Sequence, residues 1–159
     1  MKPIKTFIFE KTVTIDRPRQ EVFEFFSKAE NLEHITPAWL KFKILTPTPV
    51  EIYQGRLIDY RLRLYGLPFR WKTEITVWEP PLRFVDSQLK GPYVSWVHEH
   101  RFEEKGEQTI MTDRVEYAVP GGPVAPLINK LFVAANVQKI FEYRKKVIQE
   151  HFLAHPELG

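Results

Sequence analysis

The sequence predicts an α+β fold: a curved antiparallel sheet of about seven strands wrapped around a long C-terminal helix, with two short helices after the first strand. Three observations carry this. An extended opening segment is followed by apolar residues at helical spacing. From Trp39 to Tyr117 the pattern switches to period two, punctuated by Pro47-Thr48-Pro49, Gly66, Pro80-Pro81, Gly91-Pro92 and Gly106. From Val124 to Phe152 there is no glycine, and the single proline, Pro126, falls where a helix starts.

Each element has its own logic. In the first strand Phe7, Phe9, Val13 and Ile15 share one face. Asp16 is the expected N-cap of the helix that follows, with Pro18 in its first turn, where a missing N–H costs nothing. Val22, Phe23, Phe26 and Ala29 form the apolar stripe of that helix, and Glu21, Glu24 and Lys28 the wet side. A second short helix holds Leu32 and Ile35 before Pro37. In the meander, Ile58, Tyr60, Leu62 and Leu64 alternate with Asp59, Arg61 and Arg63. On the next strand Phe69, Trp71, Thr73, Ile75 and Val77 are expected inside. The last helix extends roughly 40 Å at 1.5 Å per residue, enough to cross the sheet. Its first half, Leu127 to Val137, is apolar almost all round and is expected to be the more buried. A strongly bent sheet cannot close fully onto one straight helix, so an apolar gap is expected between them.

Composition narrows the function. The chain has twelve Phe, six Tyr and four Trp, large rigid side chains that must fill a core or line a cavity. It has no cysteine, which excludes disulfides, thiolate nucleophiles and cysteine-ligated metals, and fits a cytoplasmic location. The stretch from Met1 to Phe9 meets Glu10 and Lys11 before it could act as a signal peptide, and no later run is long enough for stable membrane insertion. A net charge of +3, with bases scattered among twenty acids, lacks the footprint of a nucleic-acid binder. Arg144-Lys145-Lys146, with Lys139, is read as a charged face that offsets the helix dipole. No self-complementary motif indicates an oligomeric state.

Several segments carry a family resemblance. They are Phe84-Val-Asp-Ser-Gln-Leu-Lys-Gly-Pro-Tyr93, Trp96-Val-His-Glu-His-Arg-Phe102, Thr109-Ile-Met-Thr-Asp-Arg-Val-Glu-Tyr117, Pro120-Gly121 and Ile140-Phe-Glu-Tyr-Arg144. With the element order, they make the chain resemble the START-like (SRPBCC) superfamily of the helix-grip fold, in its bacterial polyketide cyclase/dehydrase-like ligand-binding branch. The resemblance covers nearly the whole chain and implies one START-like ligand-binding domain over residues 1–159. It does not fix a reaction, because such a cavity serves transport, sensing or catalysis, and function has to be argued from the site.

Parity places a polar cluster inside. Trp96, His98, His100 and Phe102 share one strand face, which the two large apolar members turn inward. Asp113 lies on the corresponding face of the following strand, and Asp86 and Gln88 on that of the preceding one. Buried together, these groups must hydrogen-bond to one another. Three readings remain open: a structural network, a device that orients a ligand, or acid–base catalysis by His98, His100 and Asp113, in which a carboxylate tunes an imidazole toward neutral pH. Two histidines one residue apart with a carboxylate could also ligate a metal, but the spacing alone does not support one, and none is expected. No phosphate-binding glycine loop or serine nucleophile turn is present, so no cofactor is expected either.

Tyr60, Leu62, Trp71 and Thr73, with Trp96, Phe102 and Tyr117, are the strand candidates for lining a pocket. Leu131, Phe132 and Ala135 are the helix candidates, with the small residues near Ala135 leaving room beneath the sheet. The expected partner is a hydrophobic small molecule, lipid-, polyketide- or isoprenoid-like. The alternatives are a cyclase/dehydratase-type enzyme and a non-enzymatic protein-interaction module.

Overall fold

Strand β1 (Phe7–Ile15) opens the fold, and Pro18 ends the run of extended backbone before α1 (Arg19–Phe26). The computed structural model describes residues 3–154; residues 1, 2 and 155–159 of the expected 1–159 domain lie outside the described part. Pro18 itself occupies the cap position of α1, and Asp16 gives it no side-chain cap, contrary to expectation. The reason is the fixed φ of Pro18, which starts the helical turn one residue too late for Asp16 to reach it. Helix α2 (Asn31–Ile35) and a 3₁₀ turn at Ala38–Leu40 then lead into the sheet.

The remaining strands are β2 (Lys43–Ile44), β3 (Leu57–Leu64), β4 (Leu67–Glu79), β5 (Arg83–Lys90), β6 (Ser95–Lys105) and β7 (Gln108–Ala118). With β1 they make a seven-stranded antiparallel sheet in the order β1-β7-β6-β5-β4-β3-β2. Every neighbouring pair after the first is a sequential hairpin, and β1 closes the far edge against β7. Two register shifts in the β4–β5 pairing, at Lys72/Thr73 and Ile75/Val77, bend the sheet, because an unpaired residue adds local twist and curvature. The second shift also breaks the expected parity. Trp78, rather than Val77, packs inward, with its ring 5.2 Å from Phe23 and 5.7 Å from Phe84.

The concave face receives the C-terminal helical segment. It comprises α3 (Ala125–Ile128), a π-helical turn (Asn129–Val133) and α4 (Ala134–Ala154). At the π turn the inward residues recur every fourth position, Ala125, Asn129, Val133 and Val137, before normal helical spacing resumes at Phe141, Arg144 and Ile148. The turn is pinned by the Tyr117 hydroxyl, which donates to Asn129 Oδ1 at 2.8 Å. This phase overturns the expectation that the first half of the helix is the more buried. Leu131 and Phe132 are 58% and 57% exposed, and Ala135 also faces solvent. The wider π turn rotates these three away from the sheet, and an apolar sequence on all sides gave no clue to which side was inward.

One core cluster lies between α1 and the sheet, where Phe23 meets Phe84 and Phe102 ring edge to ring face. A second, built on β3 and β4, holds Tyr60, Leu62 and Trp71. A third ties Tyr117 and Val115 to Val137 and Phe141. Between them the interior is not filled.

Candidate functional site

The unfilled space is a cavity of about 170 Å³ between the sheet and α4. Its wall is mostly apolar, from Ile58, Tyr60, Leu62 and Trp71 on one side to Val137 and Ile140 on the other. Thr73 and Trp96 also reach it. At one pole the wall becomes ionisable, with Asp86, His98, His100 and Arg144.

The hairpins build that pole. Strand pairing sets Asp86 opposite His98 and Asp113 opposite His100. Each carboxylate nevertheless bonds the imidazole on the diagonal: Asp86 Oδ2 lies 2.6 Å from His100 Nε2, and Asp113 Oδ1 lies 2.7 Å from His98 Nε2. The directly opposed contacts are longer, at 3.8 Å for His98 Nδ1 to Asp86 and 3.4 Å for His100 Nδ1 to Asp113. The crossing is possible because the imidazoles are stacked, with centroids 3.7 Å apart and planes at 29°. Phe84 continues the stack over His100 at 4.1 Å, and Phe141 meets His98 edge-on at 5.4 Å. Aromatic faces thus fix the rings while the carboxylates fix their edges.

Arg144 completes the charge balance. Its guanidinium Nη2 lies 3.5 Å from Asp113 Oδ1 and its Cζ lies 5.5 Å and 5.8 Å from the Phe141 and Phe26 rings. Reading it as part of a solvated basic face is therefore corrected: Arg144 is 7% exposed, because it shares the inward stripe of α4 with Val137, Phe141 and Ile148. Lys139 does lie outside, its Nζ 4.7 Å over the Trp39 ring.

Burial raises the Asp113 pKa, yet the Arg144 charge and the bonds from His100 and His98 outweigh it and hold the carboxyl well below the usual range. Asp86 is lowered too, the His100 bond and the imidazole charges overcoming burial. The histidines diverge. Burial and then the neighbouring His100 charge push His98 down, while for His100 the bonds to Asp113 and Asp86 overcome burial and push it up. Two carboxylates are thus balanced by one guanidinium and one imidazolium, and two imidazoliums 3.7 Å apart would repel. A carboxylate can only accept, so Nε2 of neutral His98 carries the hydrogen donated to Asp113, and Nδ1 keeps a lone pair. Burial, reinforced by the Asp86 charge, raises the Tyr60 hydroxyl pKa well above its usual value, so it stays a neutral phenol.

Asp86, His98 and His100 present potential metal-ligand atoms within 4.8 Å of one another. The geometry suits a cation poorly. Stacking holds the lone pairs of the two rings in planes only 29° apart, whereas two ligands must converge on one ion, and both Nε2 atoms are committed to carboxylates.

Several sequence candidates lie elsewhere. Asp113 sits behind His98, outside the cavity wall. Gln88 does not join the cluster: its amide donates to the Tyr93 carbonyl at 2.8 Å and clasps the β5–β6 turn. Phe102 is core packing against Phe23 and Phe26, and Tyr117 anchors the π turn. Leu131 and Ala135 line no part of the cavity. Phe132 instead borders a separate surface hollow of about 280 Å³ beside Tyr65, Leu67 and Phe69. Sequence reasoning missed much of the wall, among it Tyr93, Arg144 and the apolar Ile58, Leu64, Val137 and Ile140. For Arg144 a signal existed, its spacing from Phe141 and Ile148.

The fold and this polar pole define a class, a helix-grip protein with a part-polar interior cavity. The sequence matches the family described as "Polyketide cyclase / dehydrase and lipid transport" over residues 15–142, and the chain belongs to that family. No curated protein matches the sequence. Among solved structures, the Zhui aromatase/cyclase from Streptomyces sp. R1128 is similar, with a TM-score of 0.76 at 17% identity over 97% of this chain and 98% of its own. A norcoclaurine synthase point mutant from Thalictrum flavum, solved with a transition-state analogue, has a TM-score of 0.67 at 12% identity, covering 95% of this chain and 99% of that one. Major latex-like protein 151 from Panax ginseng has a TM-score of 0.67 at 15% identity, covering 93% and 98%. At such identities the likeness is one of fold. Among the described residues no helix is long and apolar enough to cross a membrane.

Proposed function

We propose that this chain acts as one ligand-binding unit that takes a hydrophobic small molecule into the cavity between sheet and C-terminal helix, with the polar groups of its lining orienting it. The observation that carries the reading is the unfilled, mostly apolar space of about 170 Å³ with the ionisable cluster of Asp86, His98, His100 and Arg144 in its wall. An apolar cavity of about 150 Å³ accommodates benzene, and typical small-molecule sites run from about 300 Å³ upward. The volume therefore favours a guest of one or two rings, or the head of a longer lipid-, polyketide- or isoprenoid-like molecule. Native mass spectrometry of freshly purified protein, with and without added aromatic and isoprenoid compounds, tests this. A chain that neither retains nor takes up any of them is not a carrier.

A second reading has its own support. His98 lines the cavity pole, neutral and held in one tautomer by Asp113, and keeps a lone pair on Nδ1, 3.8 Å from Asp86, that can take a proton from a carbon beside a carbonyl. Cyclisation or dehydration of an enolisable guest fits that chemistry. His98→Gln should then abolish turnover and leave guest affinity within about threefold, the split expected of a group that acts only in the transition state. Unchanged turnover removes the catalytic role and leaves the binding one.

A further inference from the structure

Besides His100 Nδ1, which lies 3.4 Å from the Asp113 carboxylate, two buried donors on opposite walls of the cavity are unmatched among the described residues. The Arg144 side chain is 9% exposed, and its Nε–H meets no acceptor among the described residues. Its one ionic partner, Asp113, sits at 3.5 Å, beyond good hydrogen-bond range. The Trp71 indole N–H on β4 is likewise buried without a partner among the described residues. Orphaned buried donors are rare in native proteins because each forfeits its hydration, so two in the lining of one cavity call for an acceptor from outside the chain.

The stabilising contacts of Arg144 point the same way. Two phenyl rings and a distant carboxylate hold the guanidinium in place without using up its fork of donors. The charge of any guest is also constrained. Asp86 and Asp113 already place two negative charges at this pole, so a guest carboxylate would add a third, whereas a neutral oxygen adds none.

Resting on the binding reading above, we infer that Arg144 and Trp71 are the specificity-determining donors of the cavity and that they select a guest with an uncharged acceptor oxygen on an apolar ring, such as an aryl ketone. The imidazole–carboxylate network behind them holds Arg144 in place and is not itself the primary contact. This assigns the polar recognition to a helix residue and an indole rather than to the histidines.

The test uses three ring compounds of similar size, acetophenone, ethylbenzene and benzoate, titrated calorimetrically into the protein and two variants. Trp71→Phe keeps a ring and removes the N–H. Arg144→Lys keeps the charge beside Asp113 and removes Nε–H and the fork. Acetophenone should weaken about threefold in Trp71→Phe and about tenfold in Arg144→Lys, with ethylbenzene changed less than twofold in either, as expected for loss of a neutral and a charged hydrogen bond. Benzoate should bind the parent protein less tightly than acetophenone.

The unsubstituted protein supplies a readout that does not depend on either variant folding. In a ¹⁵N-labelled sample the Arg144 Nε–Hε resonance should move on adding acetophenone and stay in place on adding ethylbenzene. Equal weakening of both guests, tighter binding of benzoate, or an Arg144 resonance indifferent to bound acetophenone each overturns the assignment and leaves the cavity reading standing. If none of the three compounds enters, the cavity reading fails and the donor assignment fails with it.

Discussion

Replacing Asp113 by Asn removes one charge and almost no volume, and the structure indicates what that charge is worth. In the native protein its Oδ1 is 2.7 Å from His98 Nε2, and its carboxylate is the nearest anion to both His100 Nδ1, at 3.4 Å, and Arg144, at 3.5 Å. The amide oxygen of Asn can still accept from His98 and His100 keeps Asp86 at 2.6 Å, but Arg144 loses its counter-charge in a site where Asp113 is only 4% exposed. Breaking a buried pair in this way costs about 3–5 kcal/mol, since it strands the remaining charge in a poorly solvated site. In a domain of this length each kcal/mol moves the midpoint by about 2–4 °C, so thermal unfolding followed by circular dichroism should show a drop of roughly 6–20 °C. The Asp113→Asn/Arg144→Met double variant should lose less than the sum of the two single variants, by a coupling of about 1–3 kcal/mol. A single-variant loss below about 1 kcal/mol, or strict additivity in the double variant, would refute the charge-balance argument.

Three further outcomes follow from the same geometry. The pKa of His100 is raised in the folded state, so its contribution to stability is fully present below the unfolded value of about 6.5 and is lost as pH rises through the folded value. The stability gap between the parent protein and His100→Gln, read from urea midpoints, should therefore shrink from pH 6 toward pH 9, and a constant or growing gap contradicts the raised value. Val137→Phe places a ring into the cavity wall and should abolish uptake of apolar guests at a stability change of about 1–3 kcal/mol, checked by native mass spectrometry beside an unfolding curve. Gly121 has φ of +124° and a Cβ there would come 2.5 Å from Ile128 Cδ1, so Gly121→Ala should lose about 1–3 kcal/mol, whereas wild-type stability in that variant would mean the turn into α3 relaxes freely.

Much of the arrangement was legible because strand parity is a strict rule. Alternation along β6 and β7 is enough to put His98, His100 and Asp113 on the inner face, and the same rule on β5 adds Asp86. What parity lacks is the diagonal. It cannot tell that Asp86 bonds His100 rather than the His98 it opposes, because that choice depends on ring stacking. Nor does it exclude Gln88, which shares the face but is drawn off by the Tyr93 backbone where the chain turns. The helix was harder to read. Arg144 looked solvated beside Lys145 and Lys146, yet Val137, Phe141, Arg144 and Ile148 are spaced four, three and four residues apart, which marks a buried stripe even with a charge in it. Leu131 and Phe132 had no such marker, since the segment is apolar all round and the π turn that sets its phase has no sequence signature.

The missed residue changes what the histidines are for. Without Arg144 the pole would hold two carboxylates and two imidazoles, and neutrality would require both rings to be protonated at 3.7 Å separation. With it, one proton suffices, which leaves His98 free to be neutral and Asp113 free to stay ionised against it. A fixed cation on the helix therefore lets the sheet carry a basic imidazole inside an apolar cavity, and the same cation faces that cavity with donors to spare. Binding and any proton transfer would then draw on a single feature, the position of residue 144 on the inward stripe of α4.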